Sequence, residues 1–218
     1  MVPDSIKPWG KIAIGVRMAR AADSSFFASW THLLAGGVLR KGDHVMQPCV
    51  GLPHHMAANA VADTFLDSDA ATLLFIDDDM VFDKAALSTL RDDEAGWGFD
   101  ILGAMYVARH GSFLPLVLTL DGSGEYHVAI DRISGKPATV DSVGLGFTMI
   151  RREVFAGMRP DKPGFYFQWS TEEGEDTYFC SRAREIGARI GCHTGVSVGH
   201  RVTLTAYWDQ EQGKAVIK

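Results

Sequence analysis

Leu73-Leu74-Phe75-Ile76-Asp77-Asp78-Asp79-Met80-Val81 is the stretch that decides the fold. The run from Ala71 to Ile76 is the most apolar in the chain, and it passes without a spacer into three aspartates. A short continuous apolar run bounded by charge reads as a strand buried on both faces, as in parallel sheets. Ligands of open α/β sheets bind beyond the carboxyl ends of the strands, so the aspartates stand where a site is expected. Three adjacent carboxylates repel one another unless solvent, hydrogen bonds or a cation compensates them. A solvated loop with helix-capping aspartates is the plain alternative.

Working outward, Lys11 to Val16 is a second buried strand, ending near Arg17. Asp23 or Ser24 can cap a helix through about Leu34, which Gly36-Gly37 stops. His44 to Val50 reads as a strand, and Pro53 to Leu66 as a helix with proline in its first turn. After the aspartates, Asp83 caps a helix to about Leu90, and Phe99 to Met105 is a strand. Strands separated by helices imply parallel pairing through right-handed crossovers. Beyond Val107 the pattern changes. Leu114 to Leu120, Glu125 to Asp131 and Pro137 to Val143 are extended segments split by glycine-containing turns, read as antiparallel additions. Leu145 to Ile150 is one more buried strand. A helix from Glu175 to Ile186 ends at Gly187, and Arg189 to Cys192 leads to a strand from Gly195 to His200. The expectation is an α/β chain with a Rossmann-like mixed central sheet. Residues 1–107 form a parallel half, 108–201 a second half, and 202–218 a polar tail, within one domain.

The 218 residues suit one domain, and a domain of this size buries roughly 70% of its unfolded surface without needing a disulfide or metal to fold. A net charge of −6 argues against general affinity for nucleic acid or anionic membrane. It does not exclude a nucleotide, provided a metal supplies local positive charge. Cys49, Cys180 and Cys192 have no metal-binding spacing and read as reduced thiols of a cytoplasmic protein. Met1-Val2-Pro3-Asp4-Ser5 lacks a signal-peptide signature, and no apolar run reaches the ~18 residues of a membrane span.

In an extended segment, Asp77 and Asp79 point to one side and Asp78 to the other. One carboxylate of such a pair can accept hydrogen bonds from ribose hydroxyls while the other binds a hard divalent cation. Two distal segments add to this. Trp169-Ser170-Thr171-Glu172-Glu173-Gly174-Glu175-Asp176 places acids at a helix start, where the macrodipole alone would favour them. Gly195-Val196-Ser197-Val198-Gly199-His200 ends a strand with an imidazole, which in isolation is more often a surface group than a ligand. Phe165, Tyr166 and Trp169 form either an aromatic platform for a sugar or part of the core.

Four ordered blocks carry a resemblance: Phe75 to Val81, Val143 to Phe155, Gly174 to Gly187, and Val198-Gly199-His200. Together they resemble GT-A-fold glycosyltransferases, especially the large family 2 group. The resemblance implies a nucleotide-diphosphate sugar donor, UDP-sugar favoured, an acceptor hydroxyl, and Mn²⁺ or Mg²⁺. It implies that Asp77, with Asp78 beside it, contacts the nucleotide, and that Asp79 and His200 hold the metal, Asp77 completing the set. Asp176, with Glu175, matches the acidic pair from which inverting members draw the base. Val16 and Arg17 resemble the wall behind the nucleotide base, and Gly144 and Gly146 a place where backbone passes close to the donor sugar. Many relatives carry an Arg-Asn pair on the second helix; here Ala58 precedes Asn59, so one cationic contact is lost and the resemblance leaves Asn59 as a nucleotide contact. Two alternatives stand beside this reading. One is a phosphohydrolase of the haloacid dehalogenase type, whose Asp-x-Asp also follows an apolar strand; the other is a non-catalytic nucleotide-sugar-binding module.

Overall fold

A computed structural model describes residues 7–18, 22–109, 113–158, 165–171, 173–202, 206–209 and 214–217. The first half runs β1 (Ile12–Met18), α1 (Ser24–Ala35), β2 (His44–Val45), β3 (Cys49–Val50), α2 (His54–Leu66), β4 (Thr72–Asp77), β5 (Met80–Val81), α3 (Ala85–Asp92) and β6 (Ile101–Met105). The second half runs β7 (Val117–Leu120), β8 (Tyr126–Val128), β9 (Pro137–Thr139), β10 (Ser142–Val143), β11 (Phe147–Arg151), α4 (Arg152–Met158), α5 (Glu175–Glu185), β12 (Ile190–Ser197), β13 (Gly199–His200), β14 (Ala206–Asp209) and β15 (Lys214–Ile217).

The central sheet has the order β2-β1-β4-β11-β6-β12-β9, with β3 also pairing to β1. β1 is parallel to β2, β3 and β4, and β6 to β12. β11 is antiparallel to both β4 and β6, and β9 to β12. The sheet is therefore mixed, with helices on both faces, as the strand-helix alternation implied.

Period-two alternation sorts the strand residues between two apolar cores. Ala13, Leu73, Phe75 and Ile150 face Val61 and Phe65 of α2, Phe155 of α4 and Phe179 of α5. Ile12, Ile14, Leu74, Ile76 and Met149 face Phe26 and Leu33 of α1 and Leu87 and Leu90 of α3. This double burial is why β4 reads as an unbroken apolar run. The Asp23 cap forms as expected, its Oδ1 accepting the Ser25 N–H at 2.8 Å.

Elsewhere the chain departs from the sequence-based expectation for identifiable reasons. His44 to Val50 is two short pairings, not one strand, because Pro48 has no N–H to continue the ladder. Arg189 to Cys192 and Gly195 to His200 are instead one strand, β12, with a register shift between His193 and Ser197, followed by the short β13. The segment after Tyr126 leaves the extended state at a 3₁₀ turn, Ile130–Arg132. α4 was not foreseen: it follows β11 directly, without a cap or a turn residue. Within the stretch read as a tail, β14 and β15 pair as an antiparallel ribbon. Among the described residues no helix is long and apolar enough to cross a membrane.

α2 packs tightly on β1 because Gly15 has no side chain. A Cβ there would lie 2.3 Å from Val61 Cγ1 and 2.8 Å from Met46 Cε. Gly15→Ala is expected to lower the stability by about 1–3 kcal/mol through overpacking, with partial recovery in the Gly15→Ala/Val61→Ala double variant. Urea unfolding midpoints of the three proteins check this; a single variant as stable as the parent would mean that α2 moves away freely.

Candidate functional site

The parallel register places Arg17 opposite Asp77 at the carboxyl ends of β1 and β4. Arg17 is only 2% exposed and makes a two-pronged pair with Asp77, Nε to Oδ1 at 2.6 Å and Nη2 to Oδ2 at 2.8 Å. The same guanidinium reaches Glu175 Oε1 at 3.4 Å and lies 3.9 Å from Asp176 Oδ1, both in the first turn of α5. It also stands over the Phe75 ring, 5.4 Å from its centre. Burial works against the charge on Arg17, but its carboxylate neighbours outweigh it and hold the proton more firmly than usual.

One cation thus serves three acids. Asp77 takes the Nε–Nη2 edge with two bonds, and the buried Glu175 lies against Nη1. Asp176 is the least compensated. Its Oδ2 accepts the Leu145 N–H at 3.0 Å, while its Oδ1 is buried without a hydrogen-bond partner. Burial pushes this carboxyl up to about 7; Arg17 opposes the rise, and Glu175 and Asp77 add to it.

β4 ends at Asp77, whose N–H bonds to the Gly146 carbonyl, and the Asp78 N–H bonds to the Arg17 carbonyl. The chain turns there, so Asp77 and Asp79 do not share a side as an extended run would require. Asp77 faces Arg17; Asp79 faces a second group. Asp79 Oδ2 accepts Arg109 Nη1 at 2.6 Å and lies 3.3 Å from His200 Nε2. His200 arrives because β13 pairs with β5, Met80 opposite His200. Its Nδ1 is 2.8 Å from the Val107 carbonyl, which only accepts, so that nitrogen carries a hydrogen. Nε2 then meets the carboxylate across either a proton or a cation. Burial would raise Asp79, but His200 and Arg109 hold it below the usual carboxylate range; burial would lower His200, but Asp79 and Val107 raise it.

Asp79 and His200 suit a divalent cation. Two ligands each ~2.1 Å from one ion lie about 3 Å apart, close to the spacing present. Asp77, expected beside them, instead gives both its oxygens to Arg17. Among the described residues, the one trio of acidic and imidazole groups gathered closely enough for an ion is Asp121, Glu125 and His127, all exposed, the acids in the β7–β8 turn and the imidazole on β8.

Other expected contacts have different occupations. Val16 is in the core and offers no open wall. Asn59 is spent within the protein: Nδ2 donates to the His55 and Phe167 carbonyls at 2.9 and 2.8 Å, and Oδ1 accepts the Tyr166 and Phe167 N–H groups at 2.8 and 3.0 Å. It holds the segment leading to α5 and has no capacity left for a nucleotide. A Cβ on Gly144 would lie 2.1 Å from the Tyr106 hydroxyl, and one on Gly146 2.7 Å from Met80 Cε. Internal packing, not room for a sugar, accounts for these glycines. Trp169 is 64% exposed and passes within 3.7 Å of where a Gly174 Cβ would be, whereas Tyr166 packs against Phe155. Glu172 lies outside the described residues.

Sequence reasoning missed Tyr106 and Arg109. Tyr106 fills the gap left by Gly144, accepts the Gly146 N–H at 2.9 Å, and stands edge-on to His200 with ring centres 5.4 Å apart. The two glycines were its only trace in the sequence. Arg109 left none.

The sequence matches no family model and no curated protein. Solved structures do resemble it. The protein A197 from STIV shares 18% identity and a TM-score of 0.57 over 95% of this chain and 94% of that one. GalNAc-T7, solved with UDP, GalNAc and Mn²⁺, shares 11% identity and a TM-score of 0.52 over 89% of this chain. The chain spans 43% of the length of GalNAc-T7. At these identities the likeness shows the fold alone, and that fold is GT-A-like.

The raised carboxyl of Asp176 sets a direction for stability against pH. The folded state binds its proton more tightly than the unfolded chain, so its contribution is complete below about 3.8 and is lost as pH rises through about 7. Asp176→Asn is expected to remove a downward slope of about 1 kcal/mol per pH unit across that window. Urea titrations of both proteins at several pH values read it out; parallel curves would contradict the assignment.

Proposed function

We propose that the chain is a metal-dependent glycosyltransferase moving a sugar, with inversion, from a nucleotide-diphosphate sugar (UDP-sugar favoured) to an acceptor hydroxyl. The observation that carries the proposal is the meeting of Asp79 and His200, 121 positions apart, beside the Arg17 cluster in a GT-A-like fold. That GalNAc-T7 was solved with UDP, GalNAc and Mn²⁺ supports the choice of donor and ion. On this reading residues 1–218 are one catalytic domain, 1–107 serving the nucleotide and 108–201 the metal and acceptor. Its three free thiols suit the reducing cytoplasm.

Asp79 and His200 would hold Mn²⁺ or Mg²⁺, the nitrogen ligand leaning towards manganese. When bound, the ion neutralises charge developing on the departing diphosphate. The rest of the chemistry belongs to the chain. Arg17 holds Asp77 and Glu175 in place. Asp77, 14% exposed, retains lone pairs beyond those that Arg17 uses and, with Asp78, forms the nucleotide contact. Glu175 is buried behind Arg17 and acts as its counter-ion, which leaves the proton transfer to Asp176. A carboxyl poised near 7 can take the acceptor proton at neutral pH, a contribution typically of ~10²–10⁴-fold. The exposed indole of Trp169 beside the α5 start offers a face to an acceptor sugar. The phosphohydrolase alternative is disfavoured because Arg17 grips both oxygens of Asp77, its would-be nucleophile.

Incubation with Mn²⁺ and a panel of nucleotide sugars tests the reaction class. Slow donor hydrolysis supports the transferase, while binding without turnover would leave only the module. Asp176→Asn should cut turnover by about 10²–10⁴-fold with donor affinity nearly unchanged, and parent activity should rise with pH through about 7. Loss of donor affinity at normal turnover would sink the base assignment. His200→Ala should shrink the Mn²⁺-dependent thermal shift given by UDP; an unchanged shift would remove His200 from the ion.

A further inference from the structure

Asp79 Oδ2 accepts two partners in this structure, His200 and Arg109, and only one of them suits a resident ion. Arg109 lies beyond the end of β6, two residues after the Val107 carbonyl that orients His200, and its side chain is 41% exposed. Its Nη1 is the closer of the two partners, 2.6 Å from the carboxylate oxygen against 3.3 Å for the imidazole. Arg201 does not compete. Its backbone N–H bonds to the Asp79 carbonyl, but its guanidinium is directed to Asp23 at 3.2 Å.

A doubly charged ion sharing Asp79 and His200 would sit against the guanidinium on that oxygen. Like charges at such a separation repel, and the oxygen's lone pairs are already committed to two hydrogen-bonding partners. The two cations therefore compete for Asp79 Oδ2. A guanidinium fork displaced at the mouth of this site has a natural new partner in a diphosphate, which it can grip with two parallel bonds.

Resting on the reading of Asp79 and His200 as metal ligands, we propose that Arg109 is a positioning residue that couples the ion to the donor. It occupies Asp79 in the free protein, keeps divalent ions weakly bound, and is drawn off by the phosphates of a nucleoside diphosphate, so that ion and nucleotide bind together. The coupling is reciprocal: whatever factor the nucleotide adds to ion affinity, the ion adds to nucleotide affinity.

The experiment is direct Mn²⁺ binding by the full chain, read from the spin-resonance signal of free Mn²⁺, with and without UDP. Arg109→Gln is expected to bind Mn²⁺ alone about two- to fivefold more tightly than the parent, the range expected for removing one partly exposed ion pair. UDP should then raise Mn²⁺ affinity by a smaller factor in Arg109→Gln than in the parent. Arg109→Lys, which keeps the charge without the fork, should lie between them. Arg109→Gln with unchanged or weaker Mn²⁺ binding, or with the full UDP effect, overturns the proposal. Asp79→Asn separates the two levels. If it binds Mn²⁺ as the parent does, the metal site itself is wrong and this inference falls with it. If it loses the ion while Arg109→Gln behaves as the parent, only the role of Arg109 falls.

Discussion

The buried guanidinium of Arg17 is the interaction on which the site depends. It joins the carboxyl ends of two parallel strands to the first turn of α5, so residues 17, 77 and 175 are held together by one planar group. The cost of taking that charge from water is offset by the paired bonds to Asp77 and by the ring of Phe75 beneath it. Lysine would not substitute, because a single ammonium cannot grip both oxygens of Asp77 and still reach Glu175. The acids in turn depend on Arg17. Without it, Asp77, Glu175 and Asp176 would face one another without that counter-charge.

Two unlike charge groups therefore stand side by side. At Arg17 one cation is shared by three carboxylates, and burial first, with Glu175 and Asp77 adding to it, raises the affinity of Asp176 for a proton. At Asp79 the balance is reversed: one carboxylate draws Arg109 and His200, and it is held in its charged form. A group that wants a proton and a group that attracts cations are the two halves that acid–base chemistry on a phosphorylated ligand needs. Pairs of titratable groups pushed in opposite directions are a usual mark of such assignments.

Much of the fold was legible because burial writes itself into pattern. β4 is apolar from Leu73 to Ile76 since Leu73 and Phe75 enter one core and Leu74 and Ile76 the other. The approach of Asp79 to His200 comes from a pairing that no local pattern shows: Asp79 lies in the turn before β5, and β13 pairs with β5 and ends at His200. What the sequence hid were the interactions set by the third dimension. The same-side expectation for Asp77 and Asp79 assumed an extended chain, but backbone bonds from Asp77 to Gly146 and from Asp78 to Arg17 end the strand and turn it. Asn59 looked available for a nucleotide because nothing local reveals that Tyr166 and Phe167, over a hundred residues on, use its whole amide. Arg109 follows no periodicity at all; an exposed arginine beyond a strand has no local signature of the carboxylate it will find.

Tyr106 explains how the two charge groups keep their spacing. Its hydroxyl accepts the Gly146 N–H, and Gly146 in turn gives its carbonyl to Asp77. Its ring meets His200 edge-on, and its hydroxyl end fills the space that a Gly144 side chain would claim. Gly144 and Gly146 are thus small so that an aromatic bolt can pass between the Asp77 strand end and the His200 strand end. Phenylalanine at this position would keep the ring but leave the Gly146 N–H buried without an acceptor. A residue that touches neither the acids nor the cation position directly still sets the distance between them, because both are fixed to backbone that its side chain holds.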